Sequence, residues 1–333
     1  MSHVTKKHIA ITVFVIASVS ATGILLSLSG SSERPKLIVS TTTSLYDTGL
    51  LDALEDDFED RYRIDVYFIP AGTGLAITHA RRGDSDMILV HAPSQELEFI
   101  ESGYGVCRKI FAYNFFAIVG PPEDPASISG LSTPEALVKI FEAGRTDIAQ
   151  WVSRGDGSGT HLKEEELWAA AGYNITTLRD ERWYHESGTG MGDTLRIANE
   201  MGAYTLTDMG TYLKYKRDGL IGLVVLVGQD KELLNAYSAI AVSPDVNPEV
   251  NFEGALTFIR YLTSDDGQEV IANYGLEEYG KPLFQPAVKL LKERTDPTLA
   301  EWVERYACFN GTECPCQCCR SYPELYLKSA ILS

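Results

Sequence analysis

Residues 152–161 read Val152-Ser153-Arg154-Gly155-Asp156-Gly157-Ser158-Gly159-Thr160-His161. In this stretch an apolar strand meets a glycine-rich turn, which leads into a helix rich in Glu and Ala. The free N–H groups and the dipole of a helix N-terminus favour an anion, and glycines let the backbone approach it closely. Ser158 and Thr160 add hydroxyl donors, and the planar guanidinium of Arg154 suits an oxyanion. The stretch therefore predicts an anion-binding turn, with an ordinary helix cap as the alternative.

The chain on both sides of this turn alternates between strand and helix patterns. Apolar runs at 37–39 and 87–90 predict buried strands, and apolar residues at helical spacing predict a helix over 49–62. Such alternation is typical of α/β layers with a parallel sheet. A second α/β unit follows Gly120-Pro121-Pro122, a sequence that interrupts regular structure and marks a predicted domain boundary.

Two apolar strands, predicted at 113–119 and 237–242, bracket the middle of the chain. We expect the first strand to carry the chain from one lobe to a second, and the other strand to carry it back. A protein of two such lobes has a cleft between them, where ligands usually bind. We therefore predict an α/β protein in which each lobe is a mostly parallel sheet flanked by helices. The predicted domains are an N-terminal segment at 1–33, lobe 1 at 34–115 plus 240–295, lobe 2 at 116–239, and a Cys-rich C-terminal extension at 296–333.

The composition limits the classes of ligand. The 333 residues are 44% hydrophobic and 23% charged, which is ordinary for a globular protein of one or two domains. The formal net charge of -17 argues against binding to nucleic acid, which needs a basic surface. It also argues against attraction of anions at long range, so local donors have to bind an anion.

The N-terminal segment has the pattern of a secretion signal or a membrane anchor. Lys6 and Lys7 precede an uncharged, mostly apolar run from Ile9 to Ser32. About 20 apolar residues can span a bilayer, and lysines keep the preceding end in the cytoplasm. We therefore predict that residues 1–33 are a signal peptide or an anchor. The rest of the chain would be extracytoplasmic, either secreted or held at the outer face of the cytoplasmic membrane.

Hydroxyl and glycine turns elsewhere could face the same cleft. Ser40-Thr41-Thr42-Thr43-Ser44 ends the first predicted strand and precedes a helix, although a run of β-branched strand residues with an N-cap would also explain it. The turns at 71–74 and 187–192 each precede a helix, and both can also be simple tight turns. The second turn lacks the acidic partner of a dinucleotide site, so it does not predict a Rossmann cofactor site.

Catalytic and metal-binding patterns are weak in this sequence. His79, His91, His161 and His185 are scattered without the spacing of metal ligands, and we interpret them as surface or core residues. The sequence around Ser158 does not form a nucleophile elbow. The sequence therefore predicts a binding protein without enzymatic activity, cofactor or structural metal.

The C-terminal extension contains five closely spaced cysteines: Cys308, Cys314, Cys316, Cys318 and Cys319. In an oxidising exterior they predict disulfides, with Cys107 or another chain as the partner of the odd thiol. A metal cluster is the alternative, although the spacing fits no established zinc pattern.

Stretches from both predicted lobes occur in a defined order along the chain: Ser40-Thr41-Thr42-Thr43-Ser44, Arg81-Arg82-Gly83-Asp84, Leu89-Val90-His91-Ala92-Pro93, Val152 to His161, Gly188 to Thr194 and Ala203-Tyr204-Thr205-Leu206-Thr207-Asp208. Together they resemble the tungstate-binding proteins (TupA type) of ABC importers, over residues 37–290. The resemblance implies a two-lobed periplasmic-binding-protein-like (type II) fold that closes on its ligand. It also implies an extracytoplasmic protein that captures tungstate, or molybdate, and delivers it to an ABC transporter permease.

The resemblance further implies which residues bind the oxyanion: Thr42, Thr43, Ser44, Thr73, Arg154, Ser158, Gly159, Thr160 and Gly190. A phosphate-binding protein of the same fold is the alternative, because its glycine turn has the same pattern with an aspartate that accepts the ligand's proton. Tungstate carries no proton near neutral pH, so the orientation of Asp156 distinguishes the two. Other classes remain open. One is a hydrolase that uses Ser158 or Thr160, and another is an adhesive protein with Arg-Gly-Asp at 82–84 and 154–156.

Overall fold

The computed structural model describes residues 34–315, 321, 322 and 325 of the chain. The predicted signal peptide or anchor at 1–33 lies outside the described residues, as do Cys316, Cys318 and Cys319 of the tail. The chain divides into two units after residue 35, and every element described below belongs to the second unit. No helix within the described ranges is both long and apolar enough to cross a membrane.

The described part of the second unit contains ten strands and fourteen α-helices. The strands are β1 (Lys36–Thr42), β2 (Asp65–Ala71), β3 (Met87–Val90), β4 (Gly105–Gly120), β5 (Trp151–Ser153), β6 (Tyr184–Glu186), β7 (Thr205–Asp208), β8 (Val224–Gly228), β9 (Leu234–Val242) and β10 (Gln285–Pro286). The helices are α1 (Thr43–Asp47), α2 (Leu50–Tyr62), α3 (Thr73–Arg82), α4 (Pro93–Glu101), α5 (Thr133–Gly144), α6 (Gly159–Ala170), α7 (Ile175–Leu178), α8 (Met191–Met201), α9 (Met209–Arg217), α10 (Phe252–Leu262), α11 (Asp265–Asn273), α12 (Leu276–Tyr279), α13 (Ala287–Glu293) and α14 (Pro297–Ala307).

The main sheet is mixed, with the strand order β10-β4-β9-β3-β1-β2 and with β7 and β8 both paired to β4. β1 pairs in parallel with β2 and β3, and β5 pairs in parallel with β6 in a separate small sheet. The pairings of β9 with β3 and of β4 with β7, β8, β9 and β10 are antiparallel. The sheets are therefore less parallel than the sequence predicts. The reason is that β4 carries the chain towards its middle section and β9 carries it back, so the two run in opposite directions.

The apolar interior is divided at the crossing strands. One core, centred on Leu54, Phe58 and Phe258, takes its buried members from residues up to 112 and from 237 onward. Another, centred on three tryptophans, takes all of its buried members from residues 116–233. We call the parts that contain these cores lobe 1 and lobe 2. The domain limits set out above stay predictions.

The C-terminal segment packs on β4 in lobe 1. The Glu313 carboxylate pairs with Lys109 and accepts a hydrogen bond from the Ile110 N–H (3.0 Å), while the Glu313 carbonyl accepts one from Arg108 (2.7 Å). Arg108 also forms an ion pair with Glu96 (2.7 Å), and both side chains are fully buried. This segment therefore contributes acceptors for cations inside lobe 1.

The cysteines of the described part differ in state. Cys107 forms a disulfide. Burial raises the pKa of the Cys308 thiol to about 12, so this thiol stays protonated at physiological pH. Within the described ranges, histidines, cysteines and carboxylates form no group that could hold a metal ion.

Candidate functional site

The turn between β5 and α6 has the local geometry that its glycines and hydroxyls predict. Gly155 and Gly157 have φ values of 61° and 69°, a region that glycine adopts without strain. The Ser158 Oγ caps α6 by accepting a hydrogen bond from the His161 N–H (3.3 Å). Ser158 is thus a helix cap whose own hydroxyl proton can still be donated to a ligand.

Asp156 is engaged within the turn. Its Oδ2 forms an ion pair with Nη2 of Arg154 (2.5 Å), and its Oδ1 accepts a hydrogen bond from the Ser158 N–H (3.1 Å). Burial raises the pKa of Asp156, but the charge of Arg154 and the bonds from Ser158 outweigh it, and the net direction is downward. The carboxylate is therefore ionised and holds Arg154 in place.

Several buried polar atoms near this turn lack a hydrogen-bond partner among the described residues. They include Nε of Arg154, Oγ1 of Thr160 and Oγ1 of Thr73. Arg154 is only 4% exposed. Buried polar groups are almost always paired, so a cluster of unpaired donors indicates a place where a ligand supplies the acceptors.

The site is formed where the two lobes meet. A Cβ on Gly159 of lobe 2 would lie 2.9 Å from Cε1 of His91 in lobe 1, and a Cβ on Gly72 would lie 4.0 Å from Cα of Ser158. The Ser44 Oγ lies 3.5 Å from Nε2 of His91 and 3.4 Å from Oγ1 of Thr42. The closed lobes thus place the hydroxyl turn, the start of α3 and the start of α6 around one point.

The predicted ligand-binding residues differ in how closely they approach this point. Thr42, Ser44, Thr73, Arg154, Ser158, Gly159 and Thr160 are all buried there. Thr43 is half-buried, and Gly190 is exposed at the N-terminus of α8, where its carbonyl accepts a hydrogen bond from Thr194. Close to Gly190, the Gly188 N–H donates to the Arg154 carbonyl (2.8 Å), so this loop supports the arginine backbone.

His91 is the site residue that the sequence interpretation missed, since it was assigned to the surface or core. It is 3% exposed, and burial together with the charge of Arg154 lowers its pKa to about 4, so it is neutral in the ligand-free protein. A usable signal was its position directly after β3. Thr42 and Gly72 lie at the ends of β1 and β2, and ligands of α/β sheets bind beyond the carboxyl ends of parallel strands.

A buried carboxyl group fixes the orientation of α6. Oε1 of Glu164 accepts hydrogen bonds from Nε1 of Trp151 (2.8 Å) and from the hydroxyl of Tyr184 (2.7 Å). These bonds tie the helix to β5 and β6, and so fix the position of its N-terminus. Burial raises the pKa of Glu164 to about 7 in spite of these bonds.

This raised pKa predicts a pH-dependent stability. Because folding raises the pKa of Glu164 from 4.5 to about 7, the native state binds more protons, and the corresponding stability is lost as pH rises through that window. Between pH 4.5 and pH 8 the loss would be up to about 3 kcal/mol. Glu164→Gln keeps the accepting oxygen and removes the titration, so urea unfolding of the variant should lose less stability over this range. Parallel pH profiles for the two proteins would contradict the assignment.

Known proteins share this fold and sequence. Residues 29–266 match the family model described as a PBP superfamily domain. "Putative ABC transporter anion-binding protein" of Haloferax volcanii is 46% identical over 264 residues, which are 78% of this chain and 74% of that protein. "Tungstate-binding protein TupA" of Peptoclostridium acidaminophilum is 39% identical over 282 residues, 83% of this chain and 96% of that protein.

A solved structure agrees with these matches. The tungstate-binding protein TupA from Desulfovibrio alaskensis G20 is 41% identical, with a TM-score of 0.67, and the match covers 76% of this chain and 98% of that one. The two-lobed α/β fold and the matched family model define a binding protein of the PBP superfamily. Within that superfamily, the chain belongs to the family of TupA-type binding proteins.

Proposed function

We propose that this protein binds tungstate in the cleft between its lobes and delivers it to the permease of an ABC importer. The observation that carries the proposal is the cluster of unpaired buried donors at the N-terminus of α6, with Nε of Arg154 among them. Molybdate has the same charge and shape, and we expect it to bind as well. The TupA names of relatives and of a solved structure support the choice of tungstate.

The bonds of Asp156 favour tungstate over phosphate. Phosphate retains a proton near neutral pH and needs an acceptor for it, whereas tungstate needs donors alone. The carboxylate of Asp156 is directed at its own turn, with one oxygen on Arg154 and the other on Ser158. The unpaired oxygens of Thr73 and Thr160 belong to hydroxyls, which can donate. These hydrogen-bonding groups favour an oxyanion that only accepts hydrogen bonds.

The arrangement supports binding and gives no support to hydrolysis. In the hydrolase alternative Ser158 or Thr160 needs a base in reach, but Nδ1 of the nearby His161 already accepts a hydrogen bond from the Gly157 N–H (2.9 Å). We expect the lobes to close on the anion outside the cytoplasm, with residues 1–33 directing the protein there. The protein needs no cofactor for this function.

The test is calorimetric titration of the full-length protein, in mild detergent, with tungstate, molybdate, sulfate and phosphate. We expect tight binding of tungstate and molybdate and little heat with phosphate, because phosphate leaves its proton unpaired. Binding of phosphate alone would move the protein to the phosphate class. Absence of heat with all four anions would favour the adhesive or hydrolytic alternatives.

Gly159→Ala should impair lobe closure. The new Cβ would lie 2.9 Å from the His91 ring, whose centroid is 4.9 Å from that of Tyr237, so the ring has little room to move. Overpacking costs about 1–3 kcal/mol, which is about 5- to 150-fold in tungstate affinity. Gly74→Ala is the matched control, because a Cβ at Gly74 meets nothing within 4 Å. Equal tungstate affinities of the two variants would show that close contact between Gly159 and His91 is not needed for binding.

A further inference from the structure

The candidate site has too little positive charge for a dianion. Arg154 is its principal cation, and Asp156 already forms an ion pair with it. Two further carboxyl groups, those of Asp47 and Asp208, lie close enough to Arg154 to feel its charge. Burial raises the pKa of both, and the positive charge of Arg154 opposes that rise. Lys214 donates to the Asp47 carbonyl (2.9 Å) between α9 and α1. The charge of a dianion enclosed by the lobes would therefore be only partly compensated by Arg154, and burial of uncompensated charge is costly.

His91 is placed to supply that charge. Its Nε2 lies 3.5 Å from the Ser44 Oγ, and its Cε1 is next to Gly159 at the start of α6. On the other side, Nδ1 of His91 and Oδ1 of Asn235 both lack a well-aligned partner among the described residues. Asn235 lies close enough that its hydrogen bonding raises the pKa of His91 against the larger effect of burial. The ring thus lies between a ligand-site hydroxyl and an unpaired acceptor.

We propose that binding of the oxyanion is coupled to the uptake of one proton by His91. The inference rests on the proposed function. With both ring nitrogens protonated, Nε2–H donates to the Ser44 Oγ, which leaves the Ser44 proton for the anion. Nδ1–H then needs an acceptor, which the unpaired Oδ1 of the neighbouring Asn235 can provide. In the neutral ring Nε2 would take up the Ser44 hydroxyl proton, so the added proton frees that hydroxyl for the ligand and places one positive charge beside it.

The groups around His91 act on its charge in different ways. Arg154 repels the imidazolium. The Tyr237 ring of β9 lies tilted against the His91 ring, with centroids 4.9 Å apart, and is neutral because burial raises its pKa well above 10. Asp208 lies close enough to Tyr237 for its charge to raise the pKa of the tyrosine further. Without ligand the pKa of His91 is about 4, and an opposite charge within about 4–6 Å raises a pKa by about 1 to 3. A dianion therefore brings His91 into the range where it binds a proton near pH 6.

The second histidine near the turn, His161 of α6, already has partners within lobe 2. Its Nδ1 accepts a hydrogen bond from the Gly157 N–H (2.9 Å) in the glycine turn. Its Nε2 lies 3.5 Å from Glu165, on the partly exposed side of the helix. The described site therefore offers His91 as the group that titrates on binding.

The experiment is calorimetric titration of the full-length protein with sodium tungstate at pH 6, in two buffers of different ionisation enthalpy. If a proton is taken up, the observed heat differs between the buffers, and the difference gives the number of protons. We expect an uptake of about 0.1 to 0.9 proton at pH 6 that falls towards zero by pH 9. The affinity for tungstate should fall as pH rises, by up to about tenfold per pH unit where one full proton is taken up on binding.

Two variants identify the group. His91→Gln retains a polar atom near Nε2 but cannot titrate, so its binding heat should be independent of the buffer. His185→Gln, at a half-buried histidine bonded to Gln150 (2.7 Å), should keep the wild-type proton number. Proton uptake that persists in His91→Gln would overturn the proposal. The wild-type protein alone separates the two ideas. If tungstate binds with the same heat in both buffers, the proton coupling is wrong and the proposed function stands. If tungstate does not bind, the proposed function is wrong as well.

Discussion

Arg154→Ala is expected to weaken tungstate binding by about 2–5 kcal/mol, or from about 30-fold to several thousand-fold. The guanidinium is 4% exposed, and its Nε has no partner among the described residues, so we expect the anion to be that partner. The substitution also leaves the Asp156 carboxylate without its cation, which adds repulsion to the lost attraction. Calorimetric titration of both proteins with tungstate measures the difference.

The chain offers a matched control for this variant. Arg82 begins the other Arg-Gly-Asp sequence and is exposed in the last turn of α3. Arg82→Ala should bind tungstate like the wild type. An Arg154→Ala variant of unchanged affinity would remove this arginine from the ligand site.

Glu96→Ala is expected to lower the free energy of unfolding by about 3–5 kcal/mol. Removal of the carboxylate leaves the charge of Arg108 in a fully buried position, where the neutral Glu313 carbonyl still accepts a hydrogen bond from it. Glu96 also accepts a hydrogen bond from the Ala92 N–H (2.8 Å), so the turn that carries His91 loses a support. Urea unfolding, followed by circular dichroism, measures the loss.

Glu98 provides the comparison on the same helix. Its side chain is 79% exposed and forms an ion pair with Arg81 at 3.3 Å. Exposed pairs of this kind contribute about 0–1 kcal/mol, so Glu98→Ala should change stability little. Similar losses in the two variants would show that the Glu96–Arg108 pair has no special role in stability.

The parts of the site that the sequence predicts are those encoded by neighbouring residues. The glycine turn before α6 and the hydroxyl turn before α1 each depend on backbone conformations and caps that a few adjacent residues determine. Strand and helix alternation likewise predicted the α/β lobes. The sheet differs from that prediction because the direction of β4 and β9 is a property of the chain path, which hydrophobic runs do not reveal.

Features that depend on contacts between distant residues were not accessible in this way. His91 is recognised as a site residue because the closed lobes bring Gly159 against its ring. The orientation of Asp156 follows from its bonds with Arg154 and Ser158. The same sequence would also allow the carboxylate to face the ligand. In both cases the arrangement depends on contacts that a motif alone does not determine.

The division of the core between the lobes has a consequence for biosynthesis. The tryptophan core of lobe 2 draws its buried members from one continuous stretch, residues 116–233. The lobe 1 core needs strands from before residue 113 together with segments from 237 onward, and Arg108 obtains its Glu313 acceptor near the C-terminus. Closing such long loops delays folding. We therefore expect lobe 2 to fold first on a growing chain, with the strands that precede residue 113 exposed to chaperones until the segments from 237 to 313 have been made.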